Sequence, residues 1–174
     1  MVTIVQKDAP MLRKKAKPVP EKLFGTPELS RMIADMEEAL DPELDGVALA
    51  APQIALPWRI FIVRKDRTLP VSPPDLPPRA AEVEVFINPE IVKTSRKRQK
   101  ADEGCLSVRG VYGTTHRHER VTIRARREDG SRFERGAGGL LAQIFEHEID
   151  HLNGILFIDT AEDMVEVPHH DAHV

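Results

Sequence analysis

The stretch FEHEIDH, residues 145–151, limits what this chain can be more than any other. His147 and His151 stand four apart, with Glu148 directly after the first. On an α-helix, residues at that spacing share a face, with about 5–6 Å between their Cβ atoms, so both imidazoles can reach one ion. Glu148 is turned roughly 100° from His147 by the 3.6-residue period. It therefore sits beside the ion without having to ligate it. This is the H-E-x-x-H pattern, in which the carboxylate works as general base toward a water that a metal activates. The competing reading is two core histidines and a surface glutamate. It conflicts with the flanking sequence, because Leu140, Leu141, Ile144, Phe145, Ile149 and Leu152 cover most of the helix circumference. A helix apolar nearly all round is buried, and a buried carboxylate without a partner costs on the order of several kcal/mol. A divalent cation offsets that cost. The helix is expected from about Gly139 to Asn153, closed by Gly154 at its C′ position.

A tetrahedral catalytic centre takes three protein ligands and keeps one position open. Downstream of the helix, Asp159, Glu162 and Asp163 are candidates for the third. Upstream, EGCLSV, residues 103–108, holds the single cysteine of the chain on an expected turn. Alone, Cys105 reads as a small buried hydrophobe; beside an H-E-x-x-H helix, ligation is the better reading. One cysteine also excludes an internal disulfide.

The remaining sequence reads as one domain over residues 1–174, with no internal repeat. Residues 1–20 are expected as an extended arm containing Pro10, Pro18 and Pro20. A helix follows, with Thr26 as N-cap and Pro27 in its first position. Its stripe is Leu29, Met32, Ile33, Met36 and Leu40, and Asp41-Pro42 ends it. GVALAAPQIALP is an apolar loop or strand, and RIFIV, residues 59–63, a buried strand. LPVSPPDLPP, residues 69–78, has five prolines in ten positions and must be a surface loop. VEVFINPEIVKT gives strand signals interrupted at Asn88-Pro89. RVTIRAR turns at Asp129-Gly130 and returns through SRFERG as a hairpin. From about residue 164 a loose tail is expected, with His169, His170 and His173 as solvated side chains.

Charge excludes some partners. The net charge is −3, which makes no electrostatic case for DNA. The one basic run, KTSRKRQK at 93–100, reads as a solvated loop or edge strand. No segment approaches the ~20 apolar residues that span a bilayer, so no membrane partner is expected. The N-terminus lacks a signal core, and a cytoplasmic location is the expectation.

GVALAAPQ, EGCLSV and HEIDH, in this order, resemble the three signature motifs of the bacterial peptide deformylases. PMLRKKAKPV is similar to the start of that family and RVTIRARREDG to its central hairpin, so the resemblance covers nearly the whole chain. It implies an α+β fold, with antiparallel strands packed around the H-E-x-x-H helix and a further helix near the N-terminus. It implies a metal-dependent hydrolase that removes the formyl group from N-formylmethionyl nascent peptides. By residue match, Cys105, His147 and His151 would be the ligands and Glu148 the acid/base. Gln53 and the backbone N–H of Leu106 would hold the oxyanion. Gly46, Val47, Ala48, Gly104, Leu140 and Ile144 would contact substrate, with Val47, Ile144 and Leu140 lining a pocket for the methionine side chain. Glu103 would pair with Arg117 behind the site.

The native ion implied is Fe²⁺, with Zn²⁺, Ni²⁺ or Co²⁺ able to occupy purified protein. A monomer is implied, with transient ribosome association allowed. Read without the resemblance, Gln53 is an exposed turn residue and Leu140 a core residue. Two positions depart from the family pattern: Ala48 replaces a second glycine of the first motif, and Arg109 stands where many relatives carry proline. Two other functions stay open. One is a different H-E-x-x-H hydrolase, such as a peptidase. The other is a noncatalytic module stabilised by metal, which needs a fourth protein ligand.

Overall fold

The structure is a computed structural model that describes residues 1–168. Helix α1 spans Pro27–Leu40. Thr26 caps it as its composition predicts, its side-chain oxygen accepting from the Leu29 N–H at 3.3 Å. Strands β1 (Ala48–Ala50), β2 (Ile60–Arg64) and β3 (Val83–Thr94) follow. Next come β4 (Arg98–Cys105), β5 (Val108–His118), β6 (Arg120–Arg126) and β7 (Arg132–Gly138). Helix α2 runs Gly139–Leu152 and β8 Glu162–Glu166. This is the α+β architecture expected, and every pair of neighbouring strands is antiparallel.

Five strands form one sheet in the order β1-β2-β3-β6-β7, and three form another in the order β4-β5-β8. The period-2 alternation of strands sends the two faces of the larger sheet to two cores. Phe61 and Val63 of β2 pack with Phe86, Val121, Ile123 and Ala125 against Phe145, Ile149 and Leu152 of α2. Ile60 and Ile62 face the other way, onto Leu29, Ile33, Met36 and Leu40 of α1. Strand β1 alternates likewise, with Ala48 and Ala50 toward α2 and Leu49 toward α1. Helix α2 is thereby wedged beneath β1 with the smaller sheet at its side, which is where the cleft opens.

Several sequence expectations need correction. Asn88-Pro89 does not interrupt β3. Asn88 adopts a positive φ of 51° and the register slips by a bulge there, while its amide exchanges two hydrogen bonds with the Val19 backbone, at 2.8 and 3.0 Å. A bulge absorbs the proline that a flat strand would reject. The N-terminal arm is largely extended, but it makes 3-10 turns at Pro10–Arg13 and Glu21–Leu23 and buries Leu12, Val19 and Leu23. Gly154 is more constrained than a helix stop requires. At φ +75° it lies where a Cβ would come within 2.6 Å of the Arg13 carbonyl oxygen, so the arm rests directly on the end of α2. The segment expected as a loose tail from about residue 164 is paired to β5 as far as Glu166. His169, His170 and His173 lie outside the described residues.

Candidate active site

Three elements carry the chemistry. Cys105 ends β4, Gln53 sits in the 3-10 turn Ala51–Ile54 after β1, and His147, Glu148 and His151 lie on α2. The tight Cys105–Val108 connection between β4 and β5 turns the thiol toward the helix. Cys105 Sγ lies 3.3 Å from His151 Nε2, and that nitrogen 3.2 Å from His147 Nε2. The three donor atoms fall within 4.8 Å of one another. Ligand atoms on a tetrahedral ion, at bond lengths of about 2.0–2.3 Å, stand about 3.3–3.6 Å apart, so the spacing fits a metal. Among the described residues, no other histidine, cysteine or carboxylate joins the group. Asp159 instead pairs with Arg13 at 2.7 Å, and Glu162 and Asp163 belong to β8.

The protonation chemistry points the same way. Burial lowers the His147 pKa, but hydrogen bonds to Cys105 and Glu103 outweigh it and raise the value well above the ordinary range. His151 is pushed well below its ordinary value, by burial and then by the His147 charge, and so offers a neutral nitrogen. Glu148 is buried, and its Oε2 has no hydrogen-bond partner among the described residues. Burial raises it to about 7, against the opposing pull of His147. A buried carboxylate poised near neutrality beside a metal site is suited to proton transfer.

Behind His147 lies Glu103, buried among cationic and hydroxyl donors. It accepts from His147 Nδ1 at 2.5 Å, Arg117 Nη2 at 2.5 Å, Arg117 Nε at 3.1 Å and Thr115 Oγ1 at 2.5 Å. Burial alone would raise its pKa, but the bonds from His147 and Arg117 hold it well below the usual carboxylate range. With Nδ1 committed as donor to Glu103, Nε2 is the nitrogen His147 turns toward His151, and it would become a ligand on losing its proton. Arg117 in turn donates to Asp150 at 2.8 Å. The pairing of Glu103 with Arg117 is the one the family resemblance implies, where residue types alone favour a surface pair with any of several arginines; Thr115, Asp150 and Gln143, whose Nε2 lies 3.5 Å from Glu103 Oε2, were not foreseen, because only the β4–β5 pairing and the position of α2 bring them in.

Gln53 is not the exposed turn residue its neighbours suggest, being 1% exposed. Its Oε1 accepts from the Ala50 N–H at 2.9 Å, which fixes the amide orientation and turns Nε2 toward Ser107 Oγ at 3.1 Å and Cys105 Sγ at 3.7 Å. The buried Ser107, which sequence reasoning passed over, also donates its N–H to Cys105 Sγ at 3.4 Å. Leu106 lies at the tip of the connection, with its carbonyl held by Gln6 Nε2 at 3.0 Å.

These groups line a cleft of about 460 Å³. Gly46, Val47 and Ala48 form one wall, Gly104 to Leu106 the other, and Leu140, Ile144, His147 and Glu148 the floor. Leu140 is 48% exposed in the cleft mouth and not in the core. Ala48 lies in β1 paired with Val63, outside the positive-φ residues, so the alanine is accommodated without backbone strain. No helix among the described residues is long and apolar enough to cross a membrane.

Comparison with known proteins agrees with this geometry. The family model for polypeptide deformylase matches residues 1–166. A peptide deformylase of Desulforudis audaxviator is 37% identical over 91% of this chain and 92% of its own length. One from Dehalococcoides mccartyi strain CBDB1 is 40% identical over 88% of this chain and 81% of its own. Among solved structures, the actinonin-bound class I type b peptide deformylase of Acinetobacter baumannii superposes with a TM-score of 0.79 at 31% identity, covering 92% of this chain and 98% of that one. A peptide deformylase from Legionella pneumophila gives 0.78 at 37% identity, covering 92% and 86%. The three motifs, the two-sheet fold wedged by α2 and these matches together place the chain in the polypeptide deformylase family.

Proposed function

We propose that this cleft removes the N-terminal formyl group from N-formylmethionyl nascent peptides, with Cys105, His147 and His151 holding a divalent metal and Glu148 moving the proton. One observation carries the reading: a thiol and two imidazole nitrogens converge beside a buried carboxylate, on the floor of an open cleft. Three ligands and an open approach suit catalysis; a purely structural site would close with a fourth.

A bound ion would supply Lewis acidity and lower the pKa of a water. Iron is the ion we favour, from the family resemblance, and the thiolate-imidazole donor set accommodates Zn²⁺, Ni²⁺ or Co²⁺ as well. Glu148 takes a proton as general base and returns it to the leaving amine, a role open to a buried carboxylate beside the three donors. Gln53, Cys105 and Leu106 all line the cleft, and the Gln53 amide and the Leu106 N–H are the donors we assign to the developing oxyanion. The peptide enters as a strand. Strands β1 and β4 are each at the edge of their sheet, and they flank the cleft through Val47–Ala48 and Gly104. An extended peptide pairs with such edges through its main chain. Val47, Ile144 and the exposed Leu140 then offer an apolar pocket to the methionine thioether.

A transient association with the ribosome, a monomeric state and a cytoplasmic location would fit this substrate. The test is deformylation of a formyl-methionyl peptide by anaerobically prepared protein with metal quantified. Glu148→Gln should keep its metal and lose about 10²–10⁴-fold in rate. Equal turnover of N-acetylated or unblocked peptides would instead assign the cleft to a peptidase.

A further inference from the structure

Arg109 stands at the start of β5, one residue beyond the turn that carries Cys105 and Leu106. Its guanidinium crosses to Glu43, in the loop between α1 and β1, by two parallel hydrogen bonds: Nη1 to Oε2 at 3.1 Å and Nη2 to Oε1 at 2.9 Å. Both side chains are partly shielded, at 30% and 25% exposure. Each end of this bridge is anchored. Arg67 donates to the carbonyls of Leu40, Asp41, Glu43 and Gly46, over 2.8–3.2 Å, and so braces the whole loop that bears Glu43. On the other side, Gln6 holds the Leu106 carbonyl and Gln53 holds Ser107. At Gly46 the two walls meet so closely that a Cβ would lie 2.9 Å from Leu106 Cδ1.

We propose that Arg109 and Glu43 form a latch that sets the separation of the two cleft walls, and so act as a positioning pair for the peptide. The proposal rests on the deformylase reading of the cleft. The physical reason is the narrow tolerance of strand pairing. A peptide bonded to both β1 and β4 needs those edges about 9–10 Å apart, two strand spacings of about 4.7–4.9 Å. Hydrogen bonds to both edges are kept only while donor–acceptor distances stay at about 2.7–3.2 Å, and they weaken steeply once the walls tilt the N–H···O angle below about 120°. A bidentate guanidinium–carboxylate pair fixes distance and angle together, which a single point charge does not. The hydrogen bonds of Cys105, His147 and His151 run to Gln53, Ser107, Glu103 and one another, so the latch acts on peptide binding and leaves the proton-transfer step alone.

The experiment is a double-mutant cycle with Arg109→Gln, Glu43→Gln and the two combined. For each protein, kcat and KM are measured on formyl-Met-Ala-Ser, and the Kd of the product Met-Ala-Ser by calorimetry, with metal content determined in parallel. Each single variant should raise KM and product Kd about two- to fivefold, the range for a partly shielded ion pair. Its kcat should stay within about twofold, the mark of lost binding common to ground and transition state. The combined variant should be no worse than the weaker single one, because one interaction is removed in all three. Unchanged KM and Kd, a fall in kcat in their place, additive losses in the combined variant, or loss of metal from a single variant would each overturn the latch. If the metal-loaded wild type fails to deformylate, the functional reading falls, and the latch is then decided by the product Kd values alone.

Discussion

Replacing Glu103 by glutamine tests whether the buried network behind His147 holds both the fold and the metal site. The carboxylate accepts from His147, Thr115 and the Nε and Nη2 of Arg117. A glutamine turned with its oxygen toward His147 brings its NH₂ against Arg117, donor on donor. Turned the other way, it loses the His147 bond. Either way the Arg117 guanidinium, whose side chain is 7% exposed, loses its fully buried counter-charge. Breaking a buried pair from one side costs about 3–5 kcal/mol. Asp150 still bonds Arg117 at 2.8 Å and Glu146 lies at 3.9 Å, so we expect the lower end, about 3 kcal/mol. With a urea slope of about 2 kcal/mol/M, suitable for a domain of this size, the unfolding midpoint should fall by about 1.5 M. Metal affinity should fall separately, about 10–100-fold, because His147 loses the anion that orients its ring and raises its basicity. Urea denaturation of the metal-free protein gives the first number and competition with a chelator the second. A variant with unchanged midpoint and unchanged metal affinity would refute the network argument. An unchanged midpoint with weakened metal binding would refute the stability argument alone.

Further outcomes follow from the same geometry. Cys105→Ser should lose bound metal and with it deformylation, since a hydroxyl stays protonated and ligates poorly; elemental analysis showing full occupancy would remove Cys105 from the ligand set. Ala48→Gly should change kcat/KM by less than about tenfold, or about 1.4 kcal/mol, because Ala48 carries no positive φ to relieve. A large gain in the glycine variant would mean that the methyl obstructs the peptide. Asp66, bonded twice to Arg64 at 2.9 Å, has its pKa lowered from 3.8 to about 2, first by that arginine. Its contribution to stability is complete above the unfolded value and is lost as pH falls through the folded one. The stability gap between wild type and Asp66→Asn should therefore narrow between about pH 4 and pH 2, followed by denaturant melts across that window; a gap constant with pH would dismiss the ion pair.

Local chemistry was readable from residue order alone. A threonine before a proline and a 3.6-residue stripe define α1 without any tertiary contact. Four-residue spacing on one helix face brings His147 and His151 together by geometry internal to α2. Asp129-Gly130 between two alternating runs is a hairpin signal for the same reason: each depends on neighbours within a few positions. Tertiary structure decided everything that depends on which surfaces meet. Gln53 and Leu140 exchange their expected environments, because β1 and the β4–β5 turn bury the glutamine while the opening of the cleft exposes the leucine. Asn88-Pro89 stays inside a strand only because Val19, 69 positions away, takes both hydrogen bonds of the asparagine amide. The thiol, 46 positions from His151, reaches the helix through the pairing of β4 with β5. Periodicity says that a face is apolar, but it does not say which face of another element covers it.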